Sequence, residues 1–287
     1  MSTSVMRDKV CAVTGANSGI GKATARGLAE MSANVIMICR SRERGQKARA
    51  EIIDKTGNRN IDLLIADLSS QRAIRHLAEE FKRNYARLDV LVNNAGGIFS
   101  PRRESVDGIE YTFALNHLAY FLLTNLLMGV LKASGHSRVV NVSSDAHSAG
   151  HINFEDLEGR KRYFAQRAYS QSKLANVLFT YELARRIRGD NVAVNAVHPG
   201  VVRTRFGSTA SAPFRVVVTI ARPFMRSPEK GAETVVYLAS SSEVEGVTGK
   251  YFYDKKEMRS TKESYDLNVA KRLWEISEEM TGNSVSS

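Results

Sequence analysis

The sequence predicts an α/β fold, built as a single domain around a doubly wound parallel sheet. Short apolar segments alternate with helical patterns from end to end, as in residues 9–14 and 19–31. This alternation is typical of parallel strands with helices on both faces, and right-handed crossovers complete the double winding. A length of 287 residues suits one such domain. Ligands of these sheets bind beyond the carboxyl ends of the strands.

The order of the elements follows from the spacing of the apolar residues. Short apolar runs predict strands at 9–14, 34–39, 61–66, 88–93, 138–143, 191–197 and 250–253. Longer stretches between them predict helices at 19–31, 42–55, 71–85, 108–133, 169–188 and 228–240. Residues 261–287 predict a C-terminal helical extension with a polar end.

Composition narrows the classes of function. The 41 Lys and Arg against 30 Asp and Glu give a net charge of +11, and these cations are dispersed along the chain. Dispersed charge without interleaved aromatic residues argues against nucleic acid as the partner, but it suits a polyanionic cofactor. The six His residues are scattered and predict no metal site.

Two features of the sequence predict a cytoplasmic protein. Cys11 and Cys39 fall in predicted buried strands, which suits a reducing compartment. Residues 1–9 are polar, so we expect neither a signal peptide nor a transmembrane anchor there.

A glycine-rich loop directly follows the first strand and opens the first helix. Its sequence is Thr14-Gly15-Ala16-Asn17-Ser18-Gly19-Ile20-Gly21. Glycines in this position let backbone amides approach a pyrophosphate at the N-terminus of a helix. The loop lacks the Gly-Lys-Ser/Thr ending of a nucleotide-hydrolysing P-loop, because Ala23 follows Lys22. The sequence therefore predicts a dinucleotide site.

The end of the second strand predicts which dinucleotide binds. An acidic residue near this position often binds the ribose 2′-hydroxyl of NAD, but this chain has Arg40 instead. A guanidinium can bind a 2′-phosphate through two hydrogen bonds. We therefore predict NADP(H) in preference to NAD(H).

Tyr169 and Lys173 are candidates for proton transfer. They lie four residues apart at the start of a predicted helix, so they share a face. A phenol has a pKa of about 10, and a nearby ammonium favours its ionised form. The spacing therefore predicts a lowered pKa for Tyr169 and a role as general acid or base.

Together these segments resemble the short-chain dehydrogenase/reductase family, which has a Rossmann-like fold, over residues 8–253. Within that family the chain is most similar to retinol dehydrogenases and related carbonyl reductases. The further matching motifs are Asp67-Leu68, Asn93-Asn94-Ala95-Gly96, Asn116, Ser143-Ser144 and Pro199-Gly200.

The resemblance implies a role for each matching residue. Asp67 is expected at the adenine, Asn93 at the adenosine side of the cofactor, and Thr204 at the nicotinamide carboxamide. The other residues expected to bind the cofactor are Leu68, Ala95, Gly96, Pro199, Gly200 and Val202. Ser144 would polarise the substrate, and Asn116 would support a proton-relay water. Lys173 would also hold the nicotinamide ribose.

Two segments are expected to shape the substrate site. Residues 207–226 are rich in apolar side chains and predict either a lid over a hydrophobic substrate or a helix packed in the core. Their flanking arginines also allow weak contact with a membrane surface. Residues 151–167 form a polar insert between Ser144 and Tyr169 and predict a rim segment.

The resulting prediction is an NADP(H)-dependent oxidoreductase that acts on a hydrophobic alcohol or carbonyl. One alternative is a non-catalytic dinucleotide-binding sensor or scaffold. Another is an epimerase or dehydratase, since extended relatives share the Tyr-x-x-x-Lys spacing. The resemblance also implies a homo-oligomer paired through the helices that hold Asn116 and Tyr169.

Overall fold

The computed structural model describes residues 5–202 and 225–282. Within them, eight strands form one sheet in the order β3-β2-β1-β4-β5-β6-β7-β8. Their bounds are Val10–Thr14 (β1), Asn34–Cys39 (β2), Ile61–Ile65 (β3), Val90–Asn93 (β4), Ser137–Val142 (β5), Val192–His198 (β6), Lys250–Tyr253 (β7) and Lys256–Met258 (β8). The first seven strands are parallel. The strand order reverses between β1 and β4, which opens a crevice at that edge of the sheet.

Seven longer helices cover the two faces of the sheet in the described residues. They are Gly19–Glu30 (α1), Arg42–Thr56 (α2), Gln71–Asn84 (α3), Tyr111–Ala133 (α4), Ala165–Arg186 (α5), Pro228–Ser240 (α6) and Leu267–Thr281 (α7). Helices α1, α2 and α6 pack on one face, and α3, α4, α5 and α7 pack on the other. Alternate side chains of β1 enter the two layers, because successive residues of a strand point to opposite faces.

The predicted fold class is confirmed, and most predicted elements begin or end within a few residues of the observed bounds. Strand β8, which pairs antiparallel with β7, is not predicted by the sequence pattern. The connecting residues Asp254 and Lys255 both have positive φ angles, 47° and 62°. Such turns favour Gly or Asn, so this pair gave no clear hairpin signal.

Helix α4 is the most apolar helix of the described part. By length and composition this helix could cross a membrane, because an 18-residue stretch of it has a mean hydropathy of 1.5. However, 67% of that stretch is buried inside the protein. Its side chains Leu122, Leu123 and Leu127 are fully buried between the sheet and the neighbouring helices. The first turns include a π-helical segment, Ala114–Leu118. Such segments are often found at functional sites.

Helix α7 packs against helix α5. Trp274 of α7 contacts Phe121 and Phe179, with ring centroids 4.9 and 5.8 Å away. Together with the sheet and α4, helix α7 covers α5, and every residue of α5 from Tyr169 to Leu183 is buried. Residues 283–287, the predicted polar end of this extension, lie outside the described part of the chain.

Candidate active site

The glycine-rich loop lies at the carboxyl end of β1 and leads into α1. Gly15 and Gly19 have φ angles of +68° and +55°, in the region that favours glycine. The Gly15 amide donates to the Ile38 oxygen at 2.8 Å, which ties the loop to β2. Ser18 precedes α1 but its side chain makes no capping hydrogen bond, whereas Ser41, at the start of α2, does cap its helix. The first amides of α1 are therefore available to an anion.

Gly21 allows the loop and the strand β4 to approach each other closely. A Cβ atom at this position would lie 2.5 Å from the Gly15 oxygen and 2.4 Å from Nδ2 of Asn94. Backbone atoms cannot yield as a flexible side chain can, so this close approach requires glycine.

We expect Gly21→Ala to destabilise the protein by about 1–3 kcal/mol, since overpacking a closed contact has that typical effect. Dinucleotide binding should weaken as well, because the loop must shift. Thermal unfolding and cofactor titration measure the two effects. Gly129→Ala is the control, since nothing lies within 4 Å of a Cβ there. Equal stability of the two variants would contradict the close packing of the loop.

Thr14 and Asn94 join the ends of β1 and β4. The Thr14 hydroxyl accepts from the amides of Asn94 and Ala95 at 2.8 and 3.0 Å. The Asn94 side chain donates to the Thr14 oxygen at 2.8 Å. Asn94 belongs to the motif Asn93-Asn94-Ala95-Gly96 but is not among the predicted site residues. Its position directly after β4, where this sheet binds ligands, was the available signal.

Asn93 does not present its side chain to the crevice. It is fully buried, and its Nδ2 donates to Thr124 and Asn141 at 2.9 Å. The predicted contact of Asn93 with the adenosine therefore cannot come from the side chain, and only its backbone remains for that role.

The edge of the sheet where the adenosine is expected contains Arg40 directly after β2. Arg40 is exposed, and its Nη1 donates to the Tyr111 hydroxyl at 2.9 Å. Asp67 follows β3 and accepts hydrogen bonds from the amide and hydroxyl of Ser69. The Leu68 side chain is buried in the core. All three residues lie beyond the carboxyl ends of neighbouring strands.

Tyr169 lies in the second turn of α5 with only 8% of its surface exposed. Burial raises the pKa of Tyr169 to about 12, and its hydrogen bond with Ser144 opposes that shift. The predicted lowering of this pKa is therefore wrong. The loss of solvent, which raises the pKa, outweighs the hydrogen bond with Ser144, which lowers it. A phenol in this state is protonated at neutral pH and can act as an acid.

Lys173 lies one helical turn after Tyr169 and is also buried. Burial lowers its pKa to about 7. Its Nζ donates to the Val142 oxygen at 2.9 Å and lies 5.7 Å from the ring centroids of Tyr169 and Tyr120. The ammonium has three donors. Val142 uses one of them, and this leaves donors for a bound molecule.

The two serines after β5 have different surroundings. The Ser143 hydroxyl is buried and donates to the Lys173 backbone oxygen at 2.8 Å. The Ser144 hydroxyl is partly exposed and hydrogen-bonds with Tyr169. Ser144 also accepts from the Ala146 amide at 3.2 Å. Of the two hydroxyls, that of Ser144 is the one beside the phenol.

Asn116 is fully buried in the π-helical segment of α4. Its Oδ1 accepts from the Gly97 amide, and its Nδ2 donates to the Gly97 oxygen and the Ser172 hydroxyl, each at 2.9 Å. The side chain is thus committed to protein partners. A Cβ on Gly96 would lie 2.9 Å from Asn116 Oδ1 and 3.6 Å from Lys173 Nζ, so the glycine lets the backbone pass close to both.

His198 fixes the turn that contains Pro199 and Gly200. Its Nδ1 accepts from the amides of Asp145 and Gly200 at 3.1 and 3.3 Å. Burial lowers the pKa of His198 to about 4, so the ring is neutral and can accept. His198 is not among the predicted site residues. Its place at the end of β6 was the signal for a site residue.

The predicted cofactor-binding residues from Pro199 to Thr204 lie only partly within the described residues. Val202 forms a bridge with Arg226. Thr204 and nearly all of the predicted lid, residues 207–224, lie outside the described residues.

The insert before Tyr169 packs against the loop that precedes α4. The Tyr163 hydroxyl donates to the Phe99 oxygen at 2.8 Å, and Glu158 accepts from the Glu110 amide at 2.9 Å. A cavity of about 480 Å³ lies between the insert and α5 and is lined by His151, Phe164 and other insert residues.

The donors along this edge fit a dinucleotide phosphate. The uncapped amides of α1 follow β1, the exposed guanidinium of Arg40 follows β2, and the ammonium of Lys173 lies at the end of β5. Gly15, Gly21 and Gly96 keep the backbone between them free of side chains. The Tyr120 hydroxyl is also buried near Lys173 without a hydrogen-bond partner among the described residues.

Comparison with known proteins identifies the family. The profile of short chain dehydrogenases matches residues 9–215. The chain belongs to the short-chain dehydrogenase family. As predicted, it is therefore an oxidoreductase that acts on alcohol or carbonyl groups.

Among curated proteins, the chain is similar to human retinol dehydrogenase 14, with 46% identity over 97% of this chain and 88% of that protein. Human retinol dehydrogenase 13 is 44% identical over 98% of this chain and 87% of its own length. These similarities confirm the predicted likeness to the retinol dehydrogenase group.

Two solved structures illustrate the likeness of the fold. An uncharacterized protein from Mycobacterium paratuberculosis has a TM-score of 0.80 and 32% identity over 99% of this chain and 97% of that one. A short chain dehydrogenase from Shigella flexneri, solved with NADP, has a TM-score of 0.67 and 26% identity over 87% of this chain and 98% of its own.

Proposed function

We propose that this oxidoreductase transfers a hydride between NADP(H) and a hydrophobic alcohol or carbonyl compound. The observation that carries the proposal is the buried pair of Tyr169 and Lys173, with Ser144 hydrogen-bonded to the phenol, at the carboxyl edge of the sheet. The uncapped N-terminus of α1 lies at the same edge. An acid, a polarising hydroxyl and a phosphate-binding loop are together the parts that carbonyl reduction needs.

The nicotinamide, when bound, supplies or accepts the hydride. In reduction, the protonated Tyr169 donates its proton to the oxygen of the substrate carbonyl. Ser144 donates a hydrogen bond to the same oxygen and stabilises the charge that develops there. The phenolate that remains favours the protonated form of Lys173, and the ammonium in turn stabilises the phenolate. In this form Lys173 would have two donors for the nicotinamide ribose. Asn116 fixes the backbone at Gly97, which follows the close approach of Gly96 to Lys173.

The preference for NADP(H) rests on Arg40. Arg40 directly follows β2, at the position where NAD-binding folds often have an acidic residue. The hydrogen bond to the Tyr111 hydroxyl orients its guanidinium. The Shigella flexneri relative was solved with NADP, and one from Escherichia coli was solved with NADPH. Both relatives support the same cofactor for this chain.

Arg40→Ala should raise the Kd for NADPH by about 10- to 100-fold, since hydrogen bonds to charged groups contribute about 1.5–3 kcal/mol. The Kd for NADH should change little, because NADH has no 2′-phosphate. Fluorescence titration with both cofactors measures this. Arg42→Ala removes an exposed cation two residues away and serves as the control. An unchanged ratio of the two Kd values in Arg40→Ala would remove Arg40 from the account.

The substrate is proposed to be lipophilic. The curated relatives are named retinol dehydrogenases, and residues 207–226, which come after Gly200 in the sequence, are rich in apolar side chains. A panel of aldehydes, ketones and retinoids, followed by loss of NADPH absorbance, tests the activity. We expect turnover with the apolar members. Tight NADPH binding without consumption across the panel would favour the sensor alternative instead.

Location and assembly are further proposals. A cytoplasmic location is favoured by the free, buried thiols of Cys11 and Cys39, which suit a reducing compartment. Self-association through the helices of Asn116 and Tyr169 would have to include α7, because α7 already packs against α5. Light scattering of the purified protein measures the assembly.

A further inference from the structure

A buried row of polar side chains connects helix α7 to the candidate active site. Ser277 Oγ lies 3.0 Å from His117 Nε2, and His117 Nδ1 lies 3.4 Å from Asn176 Oδ1. Asn176 Nδ2 donates to the backbone oxygen of Asn116 at 2.9 Å. All four side chains have at most 1% of their surface exposed. The row joins residues up to 160 positions apart in the sequence.

The surroundings of His117 make it a neutral hydrogen-bonding link. Its ring lies among Phe113, Phe121 and Phe179, at centroid distances of 5.0, 6.5 and 6.3 Å. Burial lowers the pKa of His117 to about 4. The facing side chains, Asn176 and Ser277, are uncharged. A neutral imidazole has one donor and one acceptor nitrogen. The direction of the hydrogen bond on one side of the ring therefore determines its direction on the other side.

One arrangement of protons satisfies the whole row. Asn176 donates from Nδ2 to Asn116, so its Oδ1 must accept from His117. His117 Nδ1 then carries the proton, and Nε2 accepts from the Ser277 hydroxyl. That hydroxyl also donates to the Leu273 oxygen at 2.7 Å. Its single proton is therefore shared between two acceptors, the Leu273 oxygen and His117 Nε2.

The row ends at the backbone oxygen of Asn116, in a part of α4 whose backbone hydrogen bonding is irregular. Asn116 lies in the π-helical segment, whose wider turn breaks the regular hydrogen-bond ladder of α4. Asn176 lies three residues after Lys173 on α5, so it shares a face with the catalytic candidates. The hydrogen bond from Asn176 therefore sets the position of Asn116 relative to Lys173.

We propose that His117, Asn176 and Ser277 are positioning residues, which hold Asn116 in place and make helix α7 a part of the active-site unit. The consequence for turnover rests on the proposed oxidoreductase function. Apolar side chains at these three positions would avoid the free-energy cost of burying polar groups. A buried network of hydrogen bonds, in contrast, fixes one arrangement of its members.

The first test measures the position of Asn116 without any reaction. The Gly97 amide donates to Asn116 Oδ1, so its hydrogen exchange reports on that contact. We expect exchange at Gly97 to be at least about threefold faster in Ser277→Ala than in the wild type. Thr281→Val is the matched control, because Thr281 is equally buried on α7 and its hydroxyl contacts only backbone oxygens of its own helix. The same exchange rate in both variants would overturn the proposal.

The second test uses turnover with NADPH and a substrate found by the panel. Ser277→Ala should lower kcat by about three- to tenfold while KM and the Kd for NADPH stay within about twofold. In an Asn116→Ala background the same substitution should have almost no further effect, because coupled residues are not additive. Equal losses in both backgrounds would overturn the role of the row in positioning Asn116. If the wild type has no activity on the panel, the proposed function fails, and the exchange experiment still decides the positioning.

Discussion

Tyr169→Phe should lower kcat by about 10²- to 10⁴-fold, the usual contribution of a positioned general acid. The variant loses the proton donor and keeps the ring that fills the buried site. Ser144 retains its hydrogen bond with the Ala146 amide, so the stability of the protein should fall by no more than about 1 kcal/mol. The Kd for NADPH should be nearly unchanged. Steady-state kinetics and cofactor titration separate the two effects.

Helix α5 offers a matched control for this substitution. Tyr181 is also buried on α5, and its hydroxyl hydrogen-bonds with a serine, Ser260, at 2.7 Å. Tyr181→Phe therefore removes the same kind of hydroxyl from the same helix, away from Ser144. We expect this control to keep its kcat within about twofold. Retention of kcat in Tyr169→Phe, or an equal loss in both variants, would refute the assignment of Tyr169.

Lys173→Met should lower kcat by at least about 100-fold and, at the same time, stabilise the protein at neutral pH. Burial lowers the pKa of Lys173 from 10.5 to about 7, which means that the charged form is disfavoured in the folded state. Each tenfold change in proton affinity corresponds to about 1.4 kcal/mol. After allowance for the lost hydrogen bond to Val142, we expect a gain of about 2–4 kcal/mol and a rise in Tm of about 5 °C.

The pH dependence of this gain has a definite sign. Between pH 7 and 10.5 the unfolded chain keeps the proton of Lys173 and the folded protein releases it, so the stability of the wild type rises with pH. The advantage of Lys173→Met should therefore be largest at or below pH 7 and shrink toward pH 10.5. Thermal unfolding at several pH values measures it. Lys173→Arg, which keeps the charge, should show no such gain. A less stable Lys173→Met at pH 7 would contradict the burial cost.

The sequence was sufficient where a pattern is local. The alternation of apolar runs predicts the sheet, and the loop from Gly15 to Gly21 predicts where a phosphate binds, because both depend on neighbours in the chain. The choice of Ser144 over Ser143 came from the family resemblance, and the structure gives it a physical reason. Ser143 is turned toward the Lys173 backbone, whereas Ser144 faces Tyr169.

The sequence was insufficient where tertiary burial decides the result. The spacing of Tyr169 and Lys173 shows that they are close but not how little water reaches them, so the direction of the Tyr169 pKa was wrong. The direction of the Asn93 side chain depends on Thr124 and Asn141, which come from other elements. The contact of Ser277 with His117 joins distant parts of the chain, and no local pattern predicts it.

The central claim is that this chain transfers a hydride between NADPH and a carbonyl carbon, with proton transfer by Tyr169. The most direct test is to supply NADPH that carries deuterium at both C4 positions of the nicotinamide, together with an aldehyde that the panel identifies. Mass spectrometry of the alcohol should show one deuterium bound to the carbinol carbon, and Tyr169→Phe should form the same product far more slowly. An alcohol without that deuterium, or no alcohol from the wild-type protein, would contradict the account.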